Sequence, residues 1–274
     1  MDDIKRSVRE TYGEIARQAA SGCGCGCGPV TRSAPEAIGY DPSDVAGTPD
    51  GADLGLGCGN PTAIAGLQEG EVVLDLGSGG GFDCFLAANA VGPAGSVIGV
   101  DMTPEMIDAA RENARRGGYD NVEFRLGEIE SLPVADGSVD VVISNCVINL
   151  VPDKPRAFSE AYRVLRPGGR LHVSDIVLED ELPTELSDSV AAYVSCVAGA
   201  VSRDEYLAAL RSAGFREIEV VSERDALELL NTCGCAPPDE EEGEGCCDGE
   251  AIELREGLVT SLTLSARKPA GAAG

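Results

Sequence analysis

The chain has 274 residues, 43% of them hydrophobic, and a formal net charge of −26, with eleven cysteines against a single histidine. That charge argues strongly against nucleic acid or an anionic membrane as partner. No apolar run approaches the roughly 20 residues of a membrane span, and the start, MDDIKRSVRE, lacks the apolar segment of a secretory signal.

The expectation is a soluble cytoplasmic protein, monomeric, with its thiols mostly reduced. Only three of the 21 basic residues are lysine (Lys5, Lys154, Lys268), and the 47 acidic residues are spread along the chain. Such a surface suits a salt-rich cytoplasm, where like-charge repulsion is screened.

Residues 4–20 read as a short amphipathic helix, and 21–61, rich in Gly, Pro, Asp and Ser, as an irregular arm with short turns. A regular alternation starts at residue 70. Strand-like VVLDLG (72–77) passes through glycines to a helix beginning near Gly81, and SVIGVD (96–101) is the next strand. The following helix has Thr103 as N-cap, Pro104 at its first position and Gly117-Gly118 at its end. VEFRLG (122–127) and VDVVISNC (139–146) are further strands. A helix on KPRAFSEAYRVLRPGG has apolar residues at 157, 158, 161, 164 and 165, and a fifth strand covers 169–178. The alternation predicts an α/β fold with a parallel, doubly wound, Rossmann-like sheet.

After 180 the pattern changes to helices at 184–200 and 204–213, a strand at 215–221 and a last strand at 257–267. Between these strands lies the acidic insert CGCAPPDEEEGEGCCDGE, which has little to bury and is expected to be mobile. Three regions follow: an N-terminal helix and Cys/Gly-rich arm (1–61), a cofactor-binding core (62–180) and a substrate-binding C-terminal region carrying the insert (181–274).

LDLGSGGGFDC is a strand, a glycine turn and a helix start. Gly77, Gly79 and Gly81 let the backbone turn tightly and approach a ligand. Asp101 ends the next strand, where a carboxylate can bind both hydroxyls of a ribose. Such loops serve nicotinamide and flavin cofactors as well as S-adenosylmethionine, so a dinucleotide stays open on this motif alone. The spacing GxGxG, in place of GxGxxG, favours S-adenosylmethionine. Asp75 has two readings, a contact to the amino-acid part of that cofactor or a cap on the turn.

The stretches LGCGNPTAIAGLQEGEVVLDLGSGGGFDCFLAA, GVDMTPEMIDAAREN, GEIESLPVADGSVDVVISNCVINLVPDKPRAFSEAYRVLRPGGRLHVSDI and YVSCVAGAVSRDEY together resemble the arsenite methyltransferases, class I S-adenosylmethionine-dependent enzymes. The resemblance covers roughly residues 54–215. It implies a class I methyltransferase sheet with a C-terminal arsenic-binding region, acting on arsenite and methylarsenite in arsenic detoxification. Cofactor residues are then expected at Asp75, Gly77, Ser78, Gly79, Gly81, Asp101, Met102, Glu128, Ile129 and Asn145. The family's four thiols fall on Cys58, Cys84, Cys146 and Cys196; the resemblance implies that Cys146 and Cys196 hold trivalent arsenic while Cys58 and Cys84 relay electrons. A thioredoxin-like protein or glutathione would regenerate them. The runner-up is a small-molecule C- or O-methyltransferase of the same fold.

Thiolates are soft ligands and trivalent arsenic is a soft centre. Its lone pair needs no proton removed, which fits the absence of His, Asp or Glu within SNCVINLV. Cys84, at a helix N-terminus, is expected to have a lowered pKa. Cys23, Cys25 and Cys27 either capture arsenite and hand it on or form a flexible arm, and Cys233, Cys235, Cys246 and Cys247 carry the same alternatives. His172 is read as structural.

Overall fold

The computed structural model describes residues 2–20, 35–184, 189–226 and 257–271. The arm cysteines Cys23, Cys25 and Cys27 and the insert cysteines Cys233, Cys235, Cys246 and Cys247 lie outside the described residues.

Helix α1 (Asp2–Ala20) buries Val8, Ile15 and Ala16, a single face at helical spacing. The described end of the arm is less irregular than expected. It holds α2 (Pro42–Ala46) and α3 (Pro61–Ala65). Asp41 and Asn60 each accept a backbone N–H at the start of these helices, and proline sits in the first turn of both.

The alternating core follows: β1 (Val72–Leu76), α4 (Phe82–Val91), β2 (Ser96–Asp101), α5 (Pro104–Gly117), β3 (Val122–Leu126), β4 (Val139–Asn145), α6 (Lys154–Val164) and β5 (Leu165–Leu178). Gly118 caps α5 in the left-handed region, but Thr103 makes no side-chain cap at its start. Helix α6 stops at Val164, and Leu165 already pairs with Val139 of β4. Pro167 explains the stop, because the residue before a proline is pushed out of helical geometry.

The C-terminal part adds α7 (Val190–Val194), α8 (Arg203–Ala213), β6 (Arg216–Asp225) and β7 (Val259–Arg267). A capping box between Ser202 and Glu205 starts α8. The helix expected over 184–200 is, in its described part, confined to α7 and ends in a turn containing Cys196.

One seven-stranded sheet runs in the order β3-β2-β1-β4-β5-β7-β6. Strands β1 to β5 are parallel, while β7 pairs antiparallel with both β5 and β6. The sheet is therefore mixed, where the alternation suggested an all-parallel one. Period-2 alternation reports which face a residue takes and carries nothing about strand direction. Asp75 stands beside Gly99 and Ile143, so the carboxyl ends of β1, β2 and β4 share one edge. Ligands bind at that edge in open α/β sheets.

His172 is buried in β5, and neither ring nitrogen has a hydrogen-bond partner among the described residues. Burial, reinforced by Arg170 and Arg267, lowers its pKa to about 4. The unfolded value is higher, near 6.5, so its contribution to stability is complete above that pH and lost as pH falls through 4. Replacing it in His172→Met removes this dependence. Chemical denaturation from pH 7 to 4 should show wild type losing on the order of 3 kcal/mol relative to the variant; a constant difference would contradict the buried neutral imidazole.

Many ion pairs are at the surface, such as Arg17 with Glu105 and Arg203 with Glu223 at 2.7 Å. Exposed pairs of this kind contribute at most about 1 kcal/mol each, too little to offset the repulsion among 47 acidic side chains facing 21 basic ones. Added potassium chloride should raise the melting temperature until screening saturates near molar salt, where the Debye length is about 3 Å. A melting temperature unchanged from dilute buffer to molar salt would contradict a salt-adapted surface.

Candidate active site

Beyond β1 the chain turns through Gly77–Gly81 into α4. Gly77 has φ +70, and a Cβ there would lie 2.3 Å from Val147 Cγ2, so any side chain would displace the segment that follows β4. Gly77 and Ser78 donate their N–H groups to the Val100 carbonyl at 2.8 and 3.1 Å. Gly79 N–H donates to Asp101 Oδ2 at 3.0 Å and Thr103 N–H to Asp101 Oδ1 at 2.8 Å. Backbone donors thus fix the Asp101 carboxylate at the end of β2, and each oxygen keeps further acceptor capacity.

This edge of the sheet opens into a cleft of about 1110 Å³, its open mouth included. Of the residues expected at the cofactor, Asp75, Gly77, Ser78, Gly79, Asp101, Met102, Ile129 and Asn145 line it, together with Cys146. Two expected residues do not. Gly81 caps α4 with φ +93, where a Cβ would crowd Phe85 and Phe124 at 2.8 Å, so packing accounts for it. Glu128 faces α1, its carboxylate 2.9 Å from Lys5 Nζ and 3.8 Å from Arg9; Glu130, also paired with Lys5, takes the place at the cleft.

The walls are acidic. Burial, and then the neighbouring Asp83, raises the Asp75 carboxyl well above the usual range. Burial lifts Asp83 to about 6 against hydrogen bonds from Tyr40 and Asn145, and it raises Asp101 as well. The buried Asp75 and Asp83 and the half-buried Asp101, together on one cleft, disfavour an anionic pyrophosphate and favour a cation. The buried Ser78 hydroxyl has no partner among the described residues and is available to a ligand. These walls fit S-adenosylmethionine, with its sulfonium and ammonium charges, better than a dinucleotide.

Asn145, the last residue of β4, joins the cleft to the thiols. Its two side-chain N–H bonds are shared among Gly59 O at 2.8 Å, Tyr40 Oη at 2.9 Å and Asp83 Oδ2 at 3.2 Å. Its Oδ1 accepts the Cys58 N–H at 3.0 Å, and Tyr40 Oη donates to Asp83 Oδ1 at 2.7 Å.

Cys58 and Cys146 form a disulfide, with their Cα atoms 5.7 Å apart. The Cys196 thiol donates to the Cys146 carbonyl at 2.9 Å. All three are buried within one apolar cluster with Val194, Val197 and Leu150. Cys146 and Cys196 have φ of 58° and 66°. For residues with a side chain this left-handed geometry is uncommon and concentrates at functional sites.

Cys84 belongs elsewhere, fully buried beside Phe85, Val141 and Ile143. The four thiols therefore divide three and one, where the sequence suggested two pairs. The expected lowering of the Cys84 pKa is also reversed: burial, and then the Asp75 carboxylate, pushes the thiol up, outweighing the helix N-terminus.

Sequence reasoning missed Tyr12, Tyr40 and Asp83 as cleft residues. Asp83 is two residues past the glycine loop and was legible by position. Tyr12 and Tyr40 come from the N-terminal helix and arm, and nothing local marked them.

Residues 67–214 match the family described as a methyltransferase domain. A 3-2-1-4-5-7-6 sheet with an acidic cleft at the glycine turn, taken with this match, defines a class I, S-adenosylmethionine-dependent methyltransferase. The arsenite methyltransferase of Halobacterium salinarum is 48% identical over 98% of this chain and 68% of its own length. The human arsenite methyltransferase is 35% identical over 78% of this chain, which spans 58% of it. An arsenic (III) S-adenosylmethionine methyltransferase from Chlamydomonas reinhardtii superposes with a TM-score of 0.60 at 34% identity, covering 87% of this chain and 73% of that one. The chain belongs to the arsenite methyltransferase family.

Proposed function

We propose that the chain methylates trivalent arsenic held by Cys58, Cys146 and Cys196, with Cys84 outside the ligand set. The observation that carries this reading is the burial of Cys58, Cys146 and Cys196 in one apolar cluster, with Cys58 bonded to Cys146, the Cys196 thiol on the Cys146 carbonyl, and Cys146 on the cleft wall. A carbon or oxygen acceptor would leave that cluster without a task.

Arsenite at neutral pH is the uncharged trihydroxide. Each thiol that replaces a hydroxyl forms one sulfur–arsenic bond and releases one water. The product, bound to three sulfurs, is neutral, so an apolar pocket holds it without the cost of burying a charge. Burial and the nearby Asp175 push the Cys196 pKa up, which is no obstacle to an exchange that carries each proton off in water.

S-adenosylmethionine, when bound, supplies an electrophilic methyl group. Asp101 would hold its ribose hydroxyls, and Asp75, Ser78 and Asn145 its amino-acid end. Cys146, on the cleft wall, would hold arsenic beside that methyl, and positioning would be the main catalytic contribution.

Methylation leaves arsenic pentavalent. The pair Cys58 and Cys146 is suited to return it to the trivalent state: two sulfur–arsenic bonds break, the sulfurs join as a disulfide, and an electron pair returns to arsenic. Water then fills the vacated position and releases a proton. A small thiol or thioredoxin-like protein is the external reductant that reopens the disulfide. Arsenite, methyl-labelled S-adenosylmethionine and glutathione incubated with the chain should give labelled methylarsenicals. Recovery of all label in the unreacted cofactor would overturn the proposal.

A further inference from the structure

The arsenic chemistry leaves Cys84 unused, and its surroundings give it another task. It is the third residue of α4, in the first turn beyond the glycine loop, and is fully buried. Its Sγ donates to Asp75 Oδ2 at 3.2 Å. Asp75, at the end of β1, is 3% exposed and lines the cofactor cleft. A carboxylate in such a place needs a donor to hold its orientation, and an uncharged S–H provides one without adding charge. Burial and the carboxylates of Asp75, Asp83 and Asp101 keep the thiol protonated, so it remains a donor.

We infer that Cys84 is a positioning residue whose thiol orients the Asp75 carboxylate toward the cationic end of S-adenosylmethionine, and that it takes no electrons in the reaction. The inference rests on reading the cleft as the cofactor site and is independent of which thiols hold arsenic. It converts one of the four family-matching cysteines from a redox group into part of the cofactor's support.

The test is a double-mutant cycle on cofactor affinity, paired with steady-state kinetics on arsenite with glutathione. Cys84→Ala should weaken S-adenosylmethionine binding about tenfold. It should raise the KM for the cofactor in step and change kcat little. Cys84→Ser keeps a donor, and it should restore affinity to within about threefold of wild type and sustain many turnovers. In an Asp75→Ala background, Cys84→Ala should cost nothing further. Thermal melts of each variant exclude unfolding as the cause, and Cys84→Val replaces the alanine variant in the cycle if the latter does not fold.

A serine variant that binds cofactor normally but stops after one turnover would show that the thiol's electrons are used, and would overturn the inference. So would wild-type cofactor affinity in Cys84→Ala, or an alanine penalty undiminished without Asp75. If Asp75→Ala alone leaves affinity unchanged, the assignment of Asp75 to the cofactor fails first, and the role of Cys84 fails with it.

Discussion

Cys146→Ser and Cys196→Ser are each expected to abolish tight arsenite binding and all methylation, from arsenite and from methylarsenite alike. A serine hydroxyl is a hard ligand that water displaces readily from arsenic, so Cys146→Ser removes the soft donor on the cleft wall, and Cys196→Ser the one that keeps arsenic when Cys58 and Cys146 close their disulfide. Both residues also sit at left-handed φ, and their backbones place the sulfurs only where the surrounding packing holds that strain. Cys58→Ser should behave differently. Two sulfurs remain to bind arsenite, with lower affinity, but no disulfide can close with Cys146, so turnover should stop after the first methyl transfer. Arsenite titration of the prereduced variants, followed by product analysis, separates the two behaviours. Wild-type methylation by Cys146→Ser would refute the site.

Asn145→Ala should produce the second large effect. The side chain is the donor to Gly59, Tyr40 and Asp83 and the acceptor of the Cys58 N–H. Its removal leaves the Cys58 N–H and the Gly59 carbonyl unpaired, while Tyr40 and Asp83 keep their bond to each other, at a cost on the order of 3 kcal/mol. Because Asp83 and Cys58 belong to the cofactor cleft and the arsenic site respectively, affinity for both ligands should fall together, by roughly a hundredfold in sum. Isothermal calorimetry with each ligand alone gives the two losses. A change confined to one ligand would show that Asn145 does not couple the sites.

What could be read from the sequence was local. The turn Gly77–Gly81 and the strand-end Asp101 announce a cofactor because strand, turn and helix are consecutive. The order of core elements was legible for the same reason. The direction of β7 was not, since its alternation fits either orientation in the sheet. Cys146 and Cys196 could be joined only through a family resemblance, because fifty residues separate them. Tyr40 meets Asn145 across a separation of 105 residues, and Tyr12 meets the Val194 carbonyl across 182. Cys84 shows the opposite failure. Its position at a helix N-terminus predicts a reactive thiol, yet tertiary burial and the carboxylate of Asp75, nine residues earlier, reverse that expectation.

The arsenic ligand set is tested most directly by X-ray absorption on arsenite bound to the prereduced chain, with Cys23, Cys25, Cys27, Cys233, Cys235, Cys246 and Cys247 replaced by serine. The spectrum should show three sulfur neighbours and no oxygen. Cys84→Ser should leave it unchanged, while Cys58→Ser should lower the sulfur count to two. Loss of a sulfur in Cys84→Ser, or three sulfurs persisting in Cys58→Ser, would contradict the three-thiol site.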